Sequence, residues 1–343
     1  MGGCLMPVDQ RFFQIIDGMT AHDLAARLGA SIHRGHADQI ITGVAPLALA
    51  ARGDVTYQTA GLPTDDAPGR DCIIITTAEM AAELDSDQIT LIVDHPRRSF
   101  ASALGMIVQE VQPEPGKTSV DRSAQIHPEA TINDGVVIGA DTVVEAGTVI
   151  QSGVVIGAYC HIGANSVLSH CDIANHVTIG ACTAIGDSGF GFEMTPDGAI
   201  RLPHVGIVRI ADGCGIGSHC CIDRGSLDDT VLGRSVMIDN MCHIAHNVQI
   251  GDRSIIAAQC GISGSVKIGA DVQIGGQVGI AQHVIIGDGA VLTARSGVTK
   301  DVVPHTQMAG FPAIEAGQYW RERAALRRLS KSSGAPRHNM KVK

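Results

Sequence analysis

The sequence predicts a mainly β fold in which most of the chain winds into a parallel β-solenoid. Three observations support this prediction: an aliphatic residue recurs every six positions, the 343 residues include 41 glycines, and only 3% of the residues are aromatic. A narrow solenoid is filled by small aliphatic side chains, whereas a globular core of this length is usually anchored by rings. A helical bundle is disfavoured because each glycine costs about 1 kcal/mol in a helix.

The hexad register runs from Leu232 to Val298 without a miss, a pattern that chance does not produce. A six-residue spacing also covers 126–162, continues over 167–185 after a one-residue slip, and recurs at 210–222. Side chains alternate along a strand, so the aliphatic residue and the residue four positions later both point inward, and the second must be small. The small residues at this position include Ala130, Cys160, Cys214, Cys220, Cys242 and Cys260. Three hexads then form one coil, so residues 18 apart stack at about 4.8 Å.

Residues 1–115 contain no hexads and predict a small α/β domain. Thr20 and Gly29 are suited to cap a helix over AHDLAARL, and a second helix is expected from Pro96. The expected short strands are 40–44, 55–57, 73–75 and 91–93. The stretch QPEPGKTS at 112–119 is a predicted linker to a solenoid domain over 120–304. Residues 305–343 are predicted to form a helix of about 313–331 and a basic tail.

Two segments interrupt the register. Residues 186–209 form a long loop that contains Phe190 and Phe192, and 224–230 form a shorter slip. A long excursion from a regular fold is usually functional. An interface between subunits explains this loop equally well, and the two interpretations stay open.

Composition excludes several classes of protein. The formal net charge of −10 argues against broad electrostatic binding of nucleic acid or anionic membranes. No apolar run reaches the roughly 18 residues that span a bilayer, and the N-terminus has no pattern of a secretory signal. The ten cysteines include no C-x-x-C pair. We therefore expect reduced, packing thiols in a cytoplasmic protein.

Coil arithmetic places polar residues near one edge of the solenoid. His246 lies at a corner, and Asp239 precedes the same corner region. Gly264 lies one coil above His246, and His283 lies one coil and one residue beyond Gly264. A histidine base, an acid that orients it and a backbone N–H for an oxyanion are the groups that acyl transfer needs. From position alone, a solvated corner residue is the favoured interpretation of His246. A zinc site at His243, His246 and His283 is disfavoured, because His243 and His246 leave the strand in different directions.

The run IDRGSLDDTVLGRSVMIDNMCHIAHNVQIGD at 222–252 resembles the signature of the UDP-3-O-(3-hydroxyacyl)glucosamine N-acyltransferase family, which acts in lipid A synthesis. The similarity extends over nearly the whole chain. It includes GDSGFGF at 186–192, GSVKIG at 264–269, GGQVGIAQH at 275–283, GFP at 310–312, WRERAAL at 320–326 and ITGVAPLALAARGDVTY at 41–57. The resemblance implies a left-handed parallel β-helix of hexapeptide repeats that forms a homotrimer, with active sites between neighbouring solenoids. The handedness rests on the resemblance alone, because parallel crossovers are usually right-handed.

The resemblance also implies catalytic roles. His246 matches the general base that takes a proton from the glucosamine 2-amino group as it attacks a thioester. Asp239 matches the acid that orients this base, and Gly264 matches the donor to the oxyanion. His283 and Asn240 match positions that bind substrate.

Further roles follow for the substrate and its donor. The donor implied is a 3-hydroxyacyl chain on the 4'-phosphopantetheine arm of acyl carrier protein, with no permanently bound cofactor and no metal. We expect Lys300, Arg321 and Arg323 to contact this acidic carrier. The aromatic residues assigned to substrate binding are Tyr57, for uracil stacking, and Phe190 and Phe192.

Two departures from the family pattern carry consequences. The Asn and Tyr that follow the first uridine-binding aromatic in the family are missing after Tyr57, so the rest of that contact set is not assigned. Ala294 and Gly297 stand where some relatives carry Met, which predicts room for a longer acyl chain.

Two other functions fit the same residues. One is another hexapeptide acyltransferase that moves an acyl group from coenzyme A or a carrier to an oxygen or nitrogen of a nucleotide sugar. The other is a solenoid scaffold without catalysis. Replacement of His246 by Ala distinguishes them, because only an enzyme that uses this base loses turnover while the fold stays intact.

Overall fold

The computed structural model describes residues 8–59, 71–84, 88–111, 116–196, 198–311 and 315–332. The chain divides into two compact units, residues 1–309 and 310–343. The first unit contains both the N-terminal α/β part and the solenoid. The predicted linker residues 112–115 and the basic tail 333–343 lie outside the described residues.

The N-terminal part is built on a five-stranded sheet in the order β2-β6-β5-β4-β3, with the pair β1-β7 beside it. Its elements are β1 (Phe13–Ile15), α1 (Ala21–Leu28), β2 (Ser31–Arg34), β3 (Gly43–Val44), β4 (Asp54–Tyr57), β5 (Ile73–Thr76), β6 (Ile89–Ile92), α2 (Pro96–Ile107) and β7 (Val108–Glu110), with single 3₁₀ turns at Leu47–Leu49 and Met80–Glu83. Both predicted helices and all four predicted strands are present.

The first helix shows why these predictions succeed. Thr20 accepts a hydrogen bond from the Asp23 backbone N–H, and the Asp23 side chain accepts one from the Thr20 backbone N–H. This reciprocal pair satisfies two N–H groups at the helix start. Gly29 ends the helix at φ 65°, a left-handed conformation that glycine adopts without a Cβ clash.

The solenoid consists of three parallel sheets. The first contains β8 (Ser119–Val120), β11 (Val137–Ile138), β14 (Val155–Ile156), β17 (Cys171–Ile173), β22 (Val208–Ile210), β25 (Thr230–Leu232), β28 (Gln249–Ile250), β31 (Lys267–Ile268) and β34 (Ile285–Ile286). The second contains β9 (Gln125–Ile126), β12 (Val143–Val144), β15 (His161–Ile162), β18 (Thr178–Ile179), β23 (Gly215–Ile216), β26 (Met237–Ile238), β29 (Ile255–Ile256), β32 (Gln273–Ile274), β35 (Val291–Leu292) and β37 (Gln307–Met308). The third contains β10 (Thr131–Ile132), β13 (Val149–Ile150), β16 (Val167–Leu168), β19 (Ala184–Ser188), β24 (Cys221–Arg224), β27 (His243–Ile244), β30 (Gly261–Ile262), β33 (Gly279–Ile280) and β36 (Gly297–Val298).

The strand register confirms the coil arithmetic. Gln249 pairs with Lys267, and Lys267 in turn pairs with Ile285, so residues 18 apart stack directly. Corners recur where the fourth residue of a hexad takes a left-handed conformation, as at Asn247 (φ 60°) and His283 (φ 62°). The aliphatic and small positions of the hexads form one continuous buried core along the solenoid. The left-handed winding and the trimer stay predictions.

The cysteines at the small inward position pack this core. The side chains of Cys160, Cys214, Cys220, Cys242 and Cys260 are buried, and every described cysteine is a free thiol. Burial raises the pKa of Cys160, which keeps this thiol protonated. Cys160 therefore acts as a small apolar side chain.

The loop at 186–209 joins the solenoid to the N-terminal part. It begins with a register shift in β19, forms the hairpin β20 (Phe192–Thr195) and β21 (Gly198–Arg201), and returns to β22. Val205 and Ile207 are buried in the same apolar cluster as the N-terminal helices. The loop therefore contributes to the N-terminal core as well as to the solenoid surface.

The second compact unit contains α3 (Ala316–Ser332), close to the predicted helix. No helix within the described ranges is long and apolar enough to cross a membrane.

Candidate active site

His246 lies at the corner that follows β27, where the third sheet turns into the first. Its side chain is half-buried, and its Nδ1 lies 2.8 Å from Oδ1 of Asn247. Gly264 follows β30 and His283 follows β33 at the same corner of higher coils. The structure therefore brings His246, Gly264 and His283 to one edge, as the coil arithmetic predicts.

The contacts of Asn247 determine which nitrogen of His246 carries hydrogen. The backbone N–H of Ser226 donates to Oδ1 of Asn247 at 3.1 Å, and Nδ2 of Asn247 donates to the carbonyl of Asp228 at 2.9 Å. Since a backbone N–H only donates, the atom that faces Ser226 and His246 is an oxygen. Nδ1 of His246 must then be the donor, and Nε2 of the neutral ring keeps a free lone pair. Nε2 is the nitrogen able to act as a base.

Gly264 lies against the reactive side of this ring. A Cβ added at Gly264 would lie 2.7 Å from both Cε1 and Nε2 of His246, so only glycine fits the observed ring position. The backbone N–H of Gly264 donates to no acceptor within the described residues. A backbone N–H without an acceptor, on a residue that lies against an unprotonated Nε2, is suited to stabilise an oxyanion next to a base.

The site contains a histidine that the sequence did not predict. His204 lies in the long loop, is 3% exposed, and places its ring centroid 4.9 Å from that of His246. No hexad register applies inside the loop, so the sequence carries no spacing that would bring His204 to this corner.

Asp239 does not contact His246 within one chain. It follows β26 at the corner between the second and third sheets, whereas His246 lies at the next corner. Its Oδ1 accepts hydrogen bonds from the backbone N–H and from Nδ2 of Asn240, at 2.7 and 2.9 Å. The expectation that Asp239 and His246 share a corner region is therefore wrong. Asp239 is the second residue of its hexad and His246 is the third residue of the next hexad, so strand β27 lies between them.

The acidic residue beside His246 in the same chain is Asp223, which is buried at the end of β24. Its Oδ2 lies 3.6 Å from Nε2 of His243. Burial raises the pKa of Asp223, while the neighbouring His243 and His246 act in the opposite direction. Sequence arithmetic missed Asp223 because the slip at 224–230 changes the stacking interval to 22 residues between Cys221 and His243.

The zinc alternative lacks a ligand cluster. No group of three or more His, Cys, Asp or Glu side chains that could hold a metal occurs among the described residues. His283 is exposed and is tied to the site through its backbone N–H, which donates to the carbonyl of Gly264 at 3.1 Å.

The aromatic candidates differ in their surroundings. Tyr57 is half-buried at the end of β4, with its ring centroid 4.8 Å from that of Phe100. Phe190 is 83% exposed, and its ring meets that of Phe192 edge-on at 4.9 Å. The loop therefore exposes an apolar surface to solvent.

The basic candidates are exposed. Lys300 lies just after β36 in the first compact unit. On α3, Arg321 lies 3.9 Å from Glu315, and the guanidinium of Arg323 lies 5.2 Å from the ring centroid of Tyr319. Exposed ion pairs of this length contribute little to stability, so these groups can exchange partners.

Comparison with known proteins places the chain in a family. The family model of the bacterial transferase hexapeptide (six repeats) matches residues 135–170 and 229–264. The UDP-3-O-acylglucosamine N-acyltransferase of Caulobacter sp. (strain K31) is 35% identical over 95% of this chain and 98% of its own length. The enzyme of the same name from Azorhizobium caulinodans is 42% identical over 94% of this chain and 95% of its own length.

Solved structures to which part of the chain is similar include a UDP-N-acetylglucosamine acyltransferase from Campylobacter jejuni. It is 24% identical, with a TM-score of 0.49, over 60% of this chain and 82% of its own. Full-length similarity to the two named relatives establishes that this chain is an acyltransferase and belongs to the UDP-3-O-acylglucosamine N-acyltransferase family.

Proposed function

We propose that this acyltransferase moves a 3-hydroxyacyl chain from acyl carrier protein to the 2-amino group of UDP-3-O-(3-hydroxyacyl)glucosamine, a step of lipid A synthesis. The observation that carries the proposal is the pairing of His246 with Gly264. The Asn247 contact leaves Nε2 of His246 unprotonated, and Gly264, whose N–H has no acceptor among the described residues, lies against the Nε2 side of the ring.

The reaction follows from these two groups. The amine nitrogen attacks the thioester carbonyl while Nε2 of His246 takes up the proton that the nitrogen loses. The carbonyl oxygen becomes an oxyanion, which the N–H of Gly264 stabilises. When the tetrahedral intermediate collapses, the carbon–sulfur bond breaks, and the imidazolium returns the proton to the departing thiolate. The products are an amide and the free thiol of the carrier's phosphopantetheine arm.

Asp239 and Asn240 have a place in this proposal if the site is shared between subunits of a trimer. Both lie at a corner of the solenoid that His246 does not occupy. Met237, Ile255 and Met241, which lie on and beside the same sheet, are 43%, 52% and 55% exposed. A second copy of the chain would cover this apolar face. Asp239 of one subunit then orients His246 of its neighbour.

The remaining candidates are assigned to the two substrates. Tyr57 stacks on the uracil ring, while His283, Phe190 and Phe192 contact the sugar and acyl chains. The exposed Lys300, Arg321 and Arg323 contact the acidic carrier protein. Charge reversal at Arg323 should therefore raise the KM for the carrier, with a smaller difference at high salt because salt screens exposed charges.

Mass spectrometry of the product tests the proposed function. Purified protein is given UDP-3-O-acylglucosamine and hydroxyacyl-loaded carrier protein, with hydroxyacyl-coenzyme A as the alternative donor. The proposal predicts an amide-linked second chain with the carrier as donor and no product with H246A. Product only with coenzyme A would identify the other acyltransferase function, and no product with either donor would refute N-acyl transfer.

A further inference from the structure

The imidazole of His204 packs on that of His246, although His204 performs no step of the proposed acyl transfer. The two ring planes are inclined by 54°, with their centroids 4.9 Å apart. His204 is nearly fully buried, so its ring forms one wall of the site beside the base. A second histidine at this place needs its own physical explanation.

One backbone contact determines the tautomer of His204. The N–H of Gly189 donates to Nδ1 of His204 at 2.9 Å, so Nδ1 is unprotonated and the hydrogen of the neutral ring is on Nε2. Burial, together with the charges of His246 and Arg224, lowers the pKa of His204 to about 3. The ring therefore stays neutral near pH 7, and it adds no like charge when His246 takes up a proton.

The backbone on both sides of His204 is held in place. Nε of Arg224 donates to the carbonyl of His204 at 3.0 Å. The next residue, Val205, donates its N–H to the carbonyl of Ser226 at 2.8 Å, and its side chain is buried in the N-terminal core. His204 is therefore a rigid element of the site, although it comes from a loop.

Two glycines let the loop close on both histidines. A Cβ at Gly189 would lie 2.9 Å from Cε1 of His204 and 2.9 Å from Cβ of His246. A Cβ at Gly191 would lie 2.6 Å from Nε2 of His204. Neither glycine has a positive φ. Both are therefore needed for space at the two rings, with no demand for an unusual backbone conformation.

We propose that His204 is a positioning residue, whose fixed ring packs on His246 and restricts the imidazole to the orientation in which Nε2 faces Gly264. The inference rests on the proposed role of His246 as the base. Without this wall the imidazole would sample other orientations. A misplacement of about 1 Å in a catalytic group costs about 100-fold in rate.

Two variants separate the ring from its hydrogen bond. In His204→Asn, Oδ1 replaces Nδ1 as acceptor of the Gly189 N–H, but the ring that touches His246 is lost. In His204→Phe, a ring stays against His246, but the Gly189 N–H loses its acceptor. The kcat, the KM for both substrates and the thermal midpoint are measured for both full-length variants, with H246A as reference.

The inference predicts opposite rankings in activity and stability. His204→Asn should lower kcat about 10-fold, with both KM values and the thermal midpoint close to wild type. His204→Phe should keep kcat within about threefold of wild type but lower the thermal midpoint, because a buried N–H is left unpaired. Two results would overturn the role of His204 if H246A is inactive. One is wild-type kcat in His204→Asn, and the other is a larger kcat loss in His204→Phe than in His204→Asn. Full activity of H246A would overturn this inference together with the proposed base.

Discussion

Gly264→Ala should displace the catalytic imidazole without removing any hydrogen-bonding group. The new methyl would lie 2.7 Å from Nε2 and Cε1 of His246, whereas ordinary contact begins at 3.4 Å, so the ring must move by about 0.7 Å. The backbone at Gly264 does not have a positive φ, so alanine adds no backbone strain there. The N–H that serves the oxyanion is retained. The whole effect therefore comes from the position of the base.

A displacement of this size should lower kcat by about 10- to 100-fold, equivalent to about 1.4 to 2.7 kcal/mol in the barrier. The assay follows formation of the amide-linked product by mass spectrometry at saturating substrate, and the thermal midpoint reports on the fold. Gly261→Ala is the matched control from the same coil, because a Cβ there meets nothing within 4 Å. Wild-type kcat in Gly264→Ala, or an equal loss in Gly261→Ala, would refute the reasoning.

Three further predictions follow from the structure. Burial lowers the pKa of His170 to about 4 and that of His204 to about 3, against 6.5 in an unfolded chain. The unfolded chain therefore binds protons first as pH falls, and the free energy of unfolding should drop by about 1.6 kcal/mol per histidine between pH 6.5 and 5. Thermal melts should show a smaller drop in His204→Asn, and equal drops would contradict the assignment. Mixed trimers of H246A and D239N subunits should recover about one quarter of wild-type activity. About that share of subunit boundaries combines an intact His246 from one subunit with an intact Asp239 from its neighbour. Inactive mixed trimers would exclude a shared site. Gly297→Met should shorten the preferred acyl chain in a chain-length series. A Cβ at Gly297 meets nothing within 4 Å, so the Met side chain would fill space that the acyl chain is expected to occupy. An unchanged optimum would show that this position does not limit acyl-chain length.

Sequence reasoning was most successful where interactions are local or periodic. The cap pair at Thr20 and the stop at Gly29 involve neighbours in the chain, so residue types alone predict α1. The hexads repeat one strand and one corner, so a constant interval also predicts which residues stack, including Gly264 above His246. A short period converts position in sequence into position in space.

That conversion fails wherever the interval changes. Asp223 stacks beside the coil of His246 at an interval of 22 residues, and His204 lies in a loop with no interval at all. The placement of Asp239 failed for a related reason, because a corner separates residues that are close in sequence.

By itself the sequence determined the repeat, the aliphatic core and one edge that carries His246, Gly264 and His283, because strand periodicity requires only local geometry. Only the tertiary structure decided which nitrogen of His246 is free and what packs against its ring. Those features depend on Asn247 meeting Ser226 and on a loop that returns from the N-terminal core. Contacts between segments that share no period are set by packing of the whole chain.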